Sequence, residues 1–128
     1  MPVTSMNHFT VLAEDLELTK AFYIDLMGLQ EGPRPPLGFP GAWLYAGQTP
    51  VLHVVAGRQL PPDRRGVLDH MAFSAQNLAS MARALREAGI DFDLRKQPES
   101  GVWQLFLFDP NGARVELDFA ADEAPPKH

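Results

Sequence analysis

A chain of 128 residues, 45% of them hydrophobic, can bury one genuine core and is too short for two independent ones. A net charge of −5 without clustered Lys and Arg excludes a nucleic-acid surface, and the lack of cysteine excludes disulfides and thiolate metal sites. No apolar run approaches the roughly 20 residues of a membrane span, and MPVTSMNHFTV has no basic-then-apolar signal pattern, so the expected setting is the cytoplasm, with no membrane partner.

In chain order, NHFTVLA (7–13) reads as a strand. Asp15 can cap a helix running to about Met27, with Leu18, Phe22 and Leu26 on one face and Gly28 as its stop. GPRPPLGFPG (32–41) reads as an irregular loop or a poor edge strand. AWLYAG (42–47) and PVLHVVA (50–56) are two strands joined by a short turn, and GRQLPPDRRGV (57–67) is a polar linker in which Asp63, Arg64 and Arg65 form a solvated turn. LDHMAFSA (68–75) is again a strand. Asn77 can cap a helix carrying Leu78, Met81, Ala82 and Leu85 on its apolar face, with Gly89 as the stop. IDFDLRK (90–96) is a strand, VWQLFLF (102–108) and ARVELDF (113–119) form a hairpin around DPNG, and AADEAPPKH (120–128) reads as a frayed tail that includes His128.

The order strand–helix–strand–strand–strand therefore occurs twice, with module 1 over about 6–56 and module 2 over about 68–119 of a single domain. The registers agree. Leu16 and Leu78 are 62 residues apart, as are His8 and His70, while His53 and Glu116 are 63 apart. Halves built alike are expected to fold alike and to pack through their sheets. Strand alternation puts Val115, Leu117 and Phe119 toward the helix and Arg114, Glu116 and Asp118 on the other face. The same parity sends His8, His53 and His70 away from their helices. A carboxylate between Val115 and Leu117 is costly without a partner. A histidine or glutamate on a strand is ordinarily a hydrogen-bonded or water-facing residue. Four of them at matched places in a repeat point instead to a divalent metal site of imidazole and carboxylate, suited to Zn, Mn, Fe(II), Ni or Co.

NHFTVLAEDLELTKAFYIDLMGL, LDHMAFSAQNLASMARALREAGI and LFLFDPNGARVELDF together resemble the vicinal oxygen chelate superfamily. That superfamily includes glyoxalase I, extradiol dioxygenases, methylmalonyl-CoA epimerase and the fosfomycin and bleomycin resistance proteins. The resemblance spans about residues 6–119. It implies an α+β fold of two tandem βαβββ modules forming a curved, cup-like mixed sheet around a metal, with the helices outside. It also implies His8, His70 and Glu116 as metal ligands. His53 falls where glyoxalase I has a glutamate and the epimerase a glutamine, and is either a fourth ligand or a base. The implied reaction binds a small substrate bidentately through vicinal oxygens, in lyase, isomerase or dioxygenase chemistry. Alternatives within the same fold are a metal-free binding or antibiotic-resistance protein and a thiol transferase of the fosfomycin type. His8 with Thr10 matches the NHxT start of those transferases, whereas their substrate-contacting tyrosine falls at Phe106.

A three-residue hairpin loop would place Phe106 and Phe108 on the face of Glu116, and a two-residue loop would place Leu105 and Leu107 there. Either lining is apolar, which favours an apolar or aromatic substrate with two adjacent oxygens, bound also by Thr10 and Arg114. Trp43 and Trp103 read as packing anchors. A homodimer is expected, with His8 and His53 of one chain facing His70 and Glu116 of another.

Overall fold

A computed structural model describes residues 2–127; His128 lies outside the described residues. The chain divides into two compact units, Met1–Arg64 and Arg65–His128, at a boundary inside the segment read as a linker.

The first unit runs β1 (Phe9–Ala13), α1 (Leu16–Ala21), β2 (Gln30–Gly32), β3 (Gly41–Ala46) and β4 (Thr49–Ala56). Its four strands lie in the order β1-β4-β3-β2, with β1 parallel to β4 and the other pairs antiparallel. The second unit repeats this with β5 (Met71–Ser74), α2 (Leu78–Glu87), β6 (Asp93–Lys96), β7 (Trp103–Phe108) and β8 (Arg114–Phe119), in the order β5-β8-β7-β6 and with β5 parallel to β8. The fold is thus the tandem βαβββ arrangement, with one mixed four-stranded sheet per unit. Among the described residues no helix is long and apolar enough to cross a membrane.

Asp15 caps α1 as expected, its Oδ1 accepting from the Leu18 backbone N–H at 3.0 Å. The expected apolar stripe is displaced. Leu18 is 62% exposed, while Thr19, Phe22 and Tyr23 are buried. Thr19, Phe22 and Tyr23 form the buried face at i, i+3 and i+4, and a π-helical stretch follows over Phe22–Leu26. The proline-rich segment is a loop, and the edge strand lies just before it as the short β2, where glycine is required at 32. A Cβ there would stand 2.7 Å from the Tyr45 ring.

In the second unit Leu78, Ala82 and Leu85 form the buried stripe of α2, and Val115, Leu117 and Phe119 are buried from β8. Two expectations fail at the ends of this unit. Asn77 adopts a left-handed backbone (φ 68°) and its side chain makes no capping bond. The Glu123 carboxylate does so instead, accepting from the backbone N–H of Leu78 at 2.7 Å and of Asn77 at 3.2 Å, where a negative charge complements the helix dipole. The described part of the tail is therefore held at Glu123 and Lys127, not frayed. The Trp103 indole N–H donates to the Glu123 carbonyl at 3.0 Å and Arg86 donates to the Lys127 carbonyl at 2.6 Å. Replacing Glu123 by alanine is expected to cost about 1 kcal/mol, a typical value for loss of an N-terminal cap, read from the urea midpoint.

Candidate metal site

The hairpin between β7 and β8 decides which side chains accompany Glu116. The Asp109 backbone N–H donates to the Ala113 carbonyl at 2.8 Å, the Gly112 N–H donates to the Asp109 carbonyl at 3.1 Å, and Gly112 takes φ 97°. This is a three-residue loop closing on a glycine bulge. The Asp109 carboxylate fastens it by accepting from the backbone of Asn111 and Ala113, each at 2.8 Å. Phe106 then stands opposite Glu116 and Phe108 opposite Arg114, so the aromatic pair, not Leu105 and Leu107, shares the face of Glu116.

Glu116 is only 6% exposed. Its Oε1 lies 2.9 Å from His70 Nε2, and its Oε2 accepts from the Gln104 amide at 3.3 Å. His70 Nδ1 lies 2.7 Å from Asp69 Oδ2. A carboxylate only accepts, so Nδ1 donates to Asp69, and Nε2 faces Glu116. Asp69 is held in turn by Arg114 at 2.9 Å. The hydrogen bond from His70, then that from Arg114, keeps Asp69 below the usual carboxylate range. Arg114, expected on the substrate, spends one N–H on Asp69 and lies over the Phe106 ring at 4.4 Å. Asp118 shares the face of Glu116; burial first, then its hydrogen bond with Glu116, raises its carboxyl to about 6.

This donor set fits a divalent cation. His70 Nε2 and Glu116 Oε1, 2.9 Å apart, are the nitrogen and oxygen donor types that would hold such an ion. A carboxylate behind the ligating imidazole is the usual second partner of a metal histidine.

In the first unit His8 and His53 are together. Their rings stack at 3.6 Å between centroids, and His53 stacks on Trp43 at 4.1 Å. Trp43 is therefore a wall of the site as well as an anchor. His8 Nδ1 donates to the Asn7 amide oxygen at 2.7 Å, which leaves its Nε2 lone pair available. His53 Nε2 is buried with no hydrogen-bond partner. Burial lowers the pKa of His53, with the charges of His8 and Arg34 acting in the same direction, so the ring is held neutral as a ligand or base requires. Thr10 lies beside His53 on the same face of the sheet. Each unit thus assembles two of the four expected ligands, and among the described residues no three His, Asp or Glu side chains are grouped to hold an ion.

Sequence reasoning missed Gln104 and the role of Asp69. Gln104 was accessible through parity, since it pairs with Asp118 on β7 two residues from Phe106. Asp69 precedes the strand, where alternation gives no guide. Phe106 and Phe108 also line a cavity of about 400 Å³ with Phe92, Leu107, Arg65 and Arg114. Arg65, read as part of a solvated turn, lies over the Phe108 ring at 5.4 Å.

The chain belongs to the Glyoxalase/Bleomycin resistance protein/Dioxygenase superfamily, whose family model matches residues 5–117. It is 29% identical over 123 residues to Glyoxylase I 4 of Arabidopsis thaliana, covering 90% of this chain and 70% of that protein. It is also 29% identical over 116 residues to glutathione transferase FosA of Serratia marcescens, covering 88% and 79%. In fold it is similar (TM-score 0.74, 15% identity, 92% and 93% covered) to a mutant of the fosfomycin resistance protein FosX of Listeria monocytogenes, complexed with Mn(II) and 1S,2S-dihydroxypropylphosphonic acid.

Proposed function

We propose that the protein is a divalent-metal-dependent enzyme of its superfamily, acting on a small substrate with two adjacent oxygens in lyase or isomerase chemistry. His70 and Glu116 are the ligands from the second unit, and His8 is the ligand from the first. His53 is a fourth ligand or the base. The observation that carries this reading is the His70 ring set between the carboxylates of Asp69, at 2.7 Å, and Glu116, at 2.9 Å. With its Nδ1 proton engaged by Asp69, His70 would offer Nε2, and Glu116 its carboxylate, to a divalent cation.

When bound, a divalent ion supplies Lewis acidity to the paired oxygens of the substrate. The chain's own residues do the rest. Asp69 holds the His70 tautomer and Arg114 holds Asp69. Phe106 packs edge-on against His70 at 5.7 Å and fixes one side of its ring. If His53 is not a ligand, its neutral ring and unpartnered Nε2 equip it to take a proton from carbon or oxygen of the substrate. Phe106 lacks the hydroxyl that the resemblance to fosfomycin transferases calls for, which favours proton transfer over thiol addition to fosfomycin. The oligomer we propose is a homodimer and the compartment the cytoplasm.

The test is elemental analysis of untagged protein dialysed after loading with Mn(II), Ni(II), Co(II), Fe(II) or Zn(II). About one equivalent of one of these is expected in the wild type, falling at least about tenfold in His70→Ala. Sub-stoichiometric metal that is unchanged in His70→Ala would overturn the reading and leave a metal-free binding module.

A further inference from the structure

On the face of the first sheet turned away from α1, a cavity of about 240 Å³ is lined by Thr10, Arg34, Trp43, His53 and Arg58, together with apolar side chains and no Asp or Glu. In a chain of net charge −5 that is a local reversal of sign. Arg34 is placed with care. One of its terminal nitrogens donates to the Phe39 carbonyl at 2.9 Å, and its guanidinium carbon lies 5.1 Å from the Phe39 ring centre. Its Nε is buried with no hydrogen-bond partner. The backbone makes room for it. A Cβ at Gly41 would stand 3.0 Å from Arg34 Nη2 and 2.3 Å from the Val54 carbonyl. Two guanidinium side chains lining one cavity with no carboxylate beside them favour an anionic occupant. The His53 ring borders the same space.

We infer that the cavity beside Arg34, Arg58, Thr10 and His53 binds an anionic group, a carboxylate or a phosphonate, carried by the substrate. This rests on the proposed function only in naming that group as part of the molecule whose vicinal oxygens meet the metal. It adds an acidic group to the apolar or aromatic substrate with two adjacent oxygens expected from sequence. Arg34 binds through its remaining terminal N–H groups, Arg58 adds a second positive charge to the lining, and Thr10 offers a hydroxyl donor.

The test titrates full-length, metal-free protein with phenylphosphonate, benzoate and benzyl alcohol by calorimetry at low salt. The two anions are expected to bind and the alcohol is not, and the tighter anion identifies the group. Arg34→Gln is expected to weaken anion binding about tenfold and Arg58→Ala about threefold, as loss of charge-assisted bonds at a partly open site implies. Arg34→Lys, which keeps the charge and guards against a folding defect, is expected to fall between wild type and Arg34→Gln. His70→Ala, which removes a metal ligand, should bind the anions as the wild type does. If benzyl alcohol binds as well as the anions, or if Arg34→Gln binds both anions at wild-type affinity, the inference is overturned while the metal reading stands. Intact Arg34-dependent anion binding in a protein that takes up no metal would overturn the metal reading alone.

Discussion

Glu116→Gln is expected to lower affinity for a divalent ion by about a hundredfold or more, since even partners one shell out from a metal contribute tenfold to a hundredfold. The same substitution should raise the melting temperature of the metal-free protein at pH 7.5. Glu116 is 6% exposed and has Asp118 as a neighbouring acid, so glutamine there relieves the repulsion between two adjacent carboxylates. The pH dependence follows in sign. Asp118 titrates at about 6 in the folded chain, above its ordinary value. A raised carboxyl favours the folded state below the unfolded pKa, and that contribution is lost as pH rises through about 6. Glutamine at 116 removes part of the cause, though not the burial of Asp118. The gain in melting temperature should therefore be largest above pH 6.5 and shrink toward pH 4. Calorimetric metal titration and thermal melts across that range check both halves. Equal metal affinity in the two proteins would remove Glu116 from the ligand set.

Phe119→Ala is expected to destabilise the protein by about 3–5 kcal/mol, measured by chemical denaturation. Phe119 ends β8 on the face opposite Glu116 and is 1% exposed, so alanine leaves a cavity that fixed strands cannot close. It also stands opposite Trp103, whose indole N–H holds Glu123 over the start of α2, so the loss should spread to the tail. A cost below about 1 kcal/mol would mean that this face of the sheet repacks freely, against the close packing typical of protein interiors.

The doubled fold and the pairing of its polar positions were legible because both rest on short periods. Alternation along β8 separates Val115, Leu117 and Phe119 from Glu116, and the offset of 62 residues relates His8 to His70 without any coordinates. The grouping of His70 with Glu116 was legible for the same reason, since parallel pairing of β5 and β8 sets Ala72 beside Glu116 and brings its neighbours within reach. What escaped depends on geometry with no sequence period. The buried stripe of α1 runs through Thr19 and Tyr23 instead of Leu18, so a polar threonine holds the place expected of leucine. The cap of α2 came from Glu123, 45 residues along the chain from Leu78. Arg34 lies in a proline-rich loop that reads as filler until its guanidinium is seen lying over Gly41. The hairpin parity was undecidable from DPNG alone, because it depends on whether Gly112 closes a bulge.

The strand order carries a consequence for biosynthesis. In each sheet the strand made last, β4 or β8, lies between the strand made first and the one made just before it. Neither parallel ladder can close until its module has been translated to the end, at Ala56 for one and Phe119 for the other. The amino-terminal sheet can therefore zip up on the ribosome while the later codons are still being read, at the usual few to about 20 residues per second. The nascent chain would gain protection from protease in two steps, one for each completed sheet.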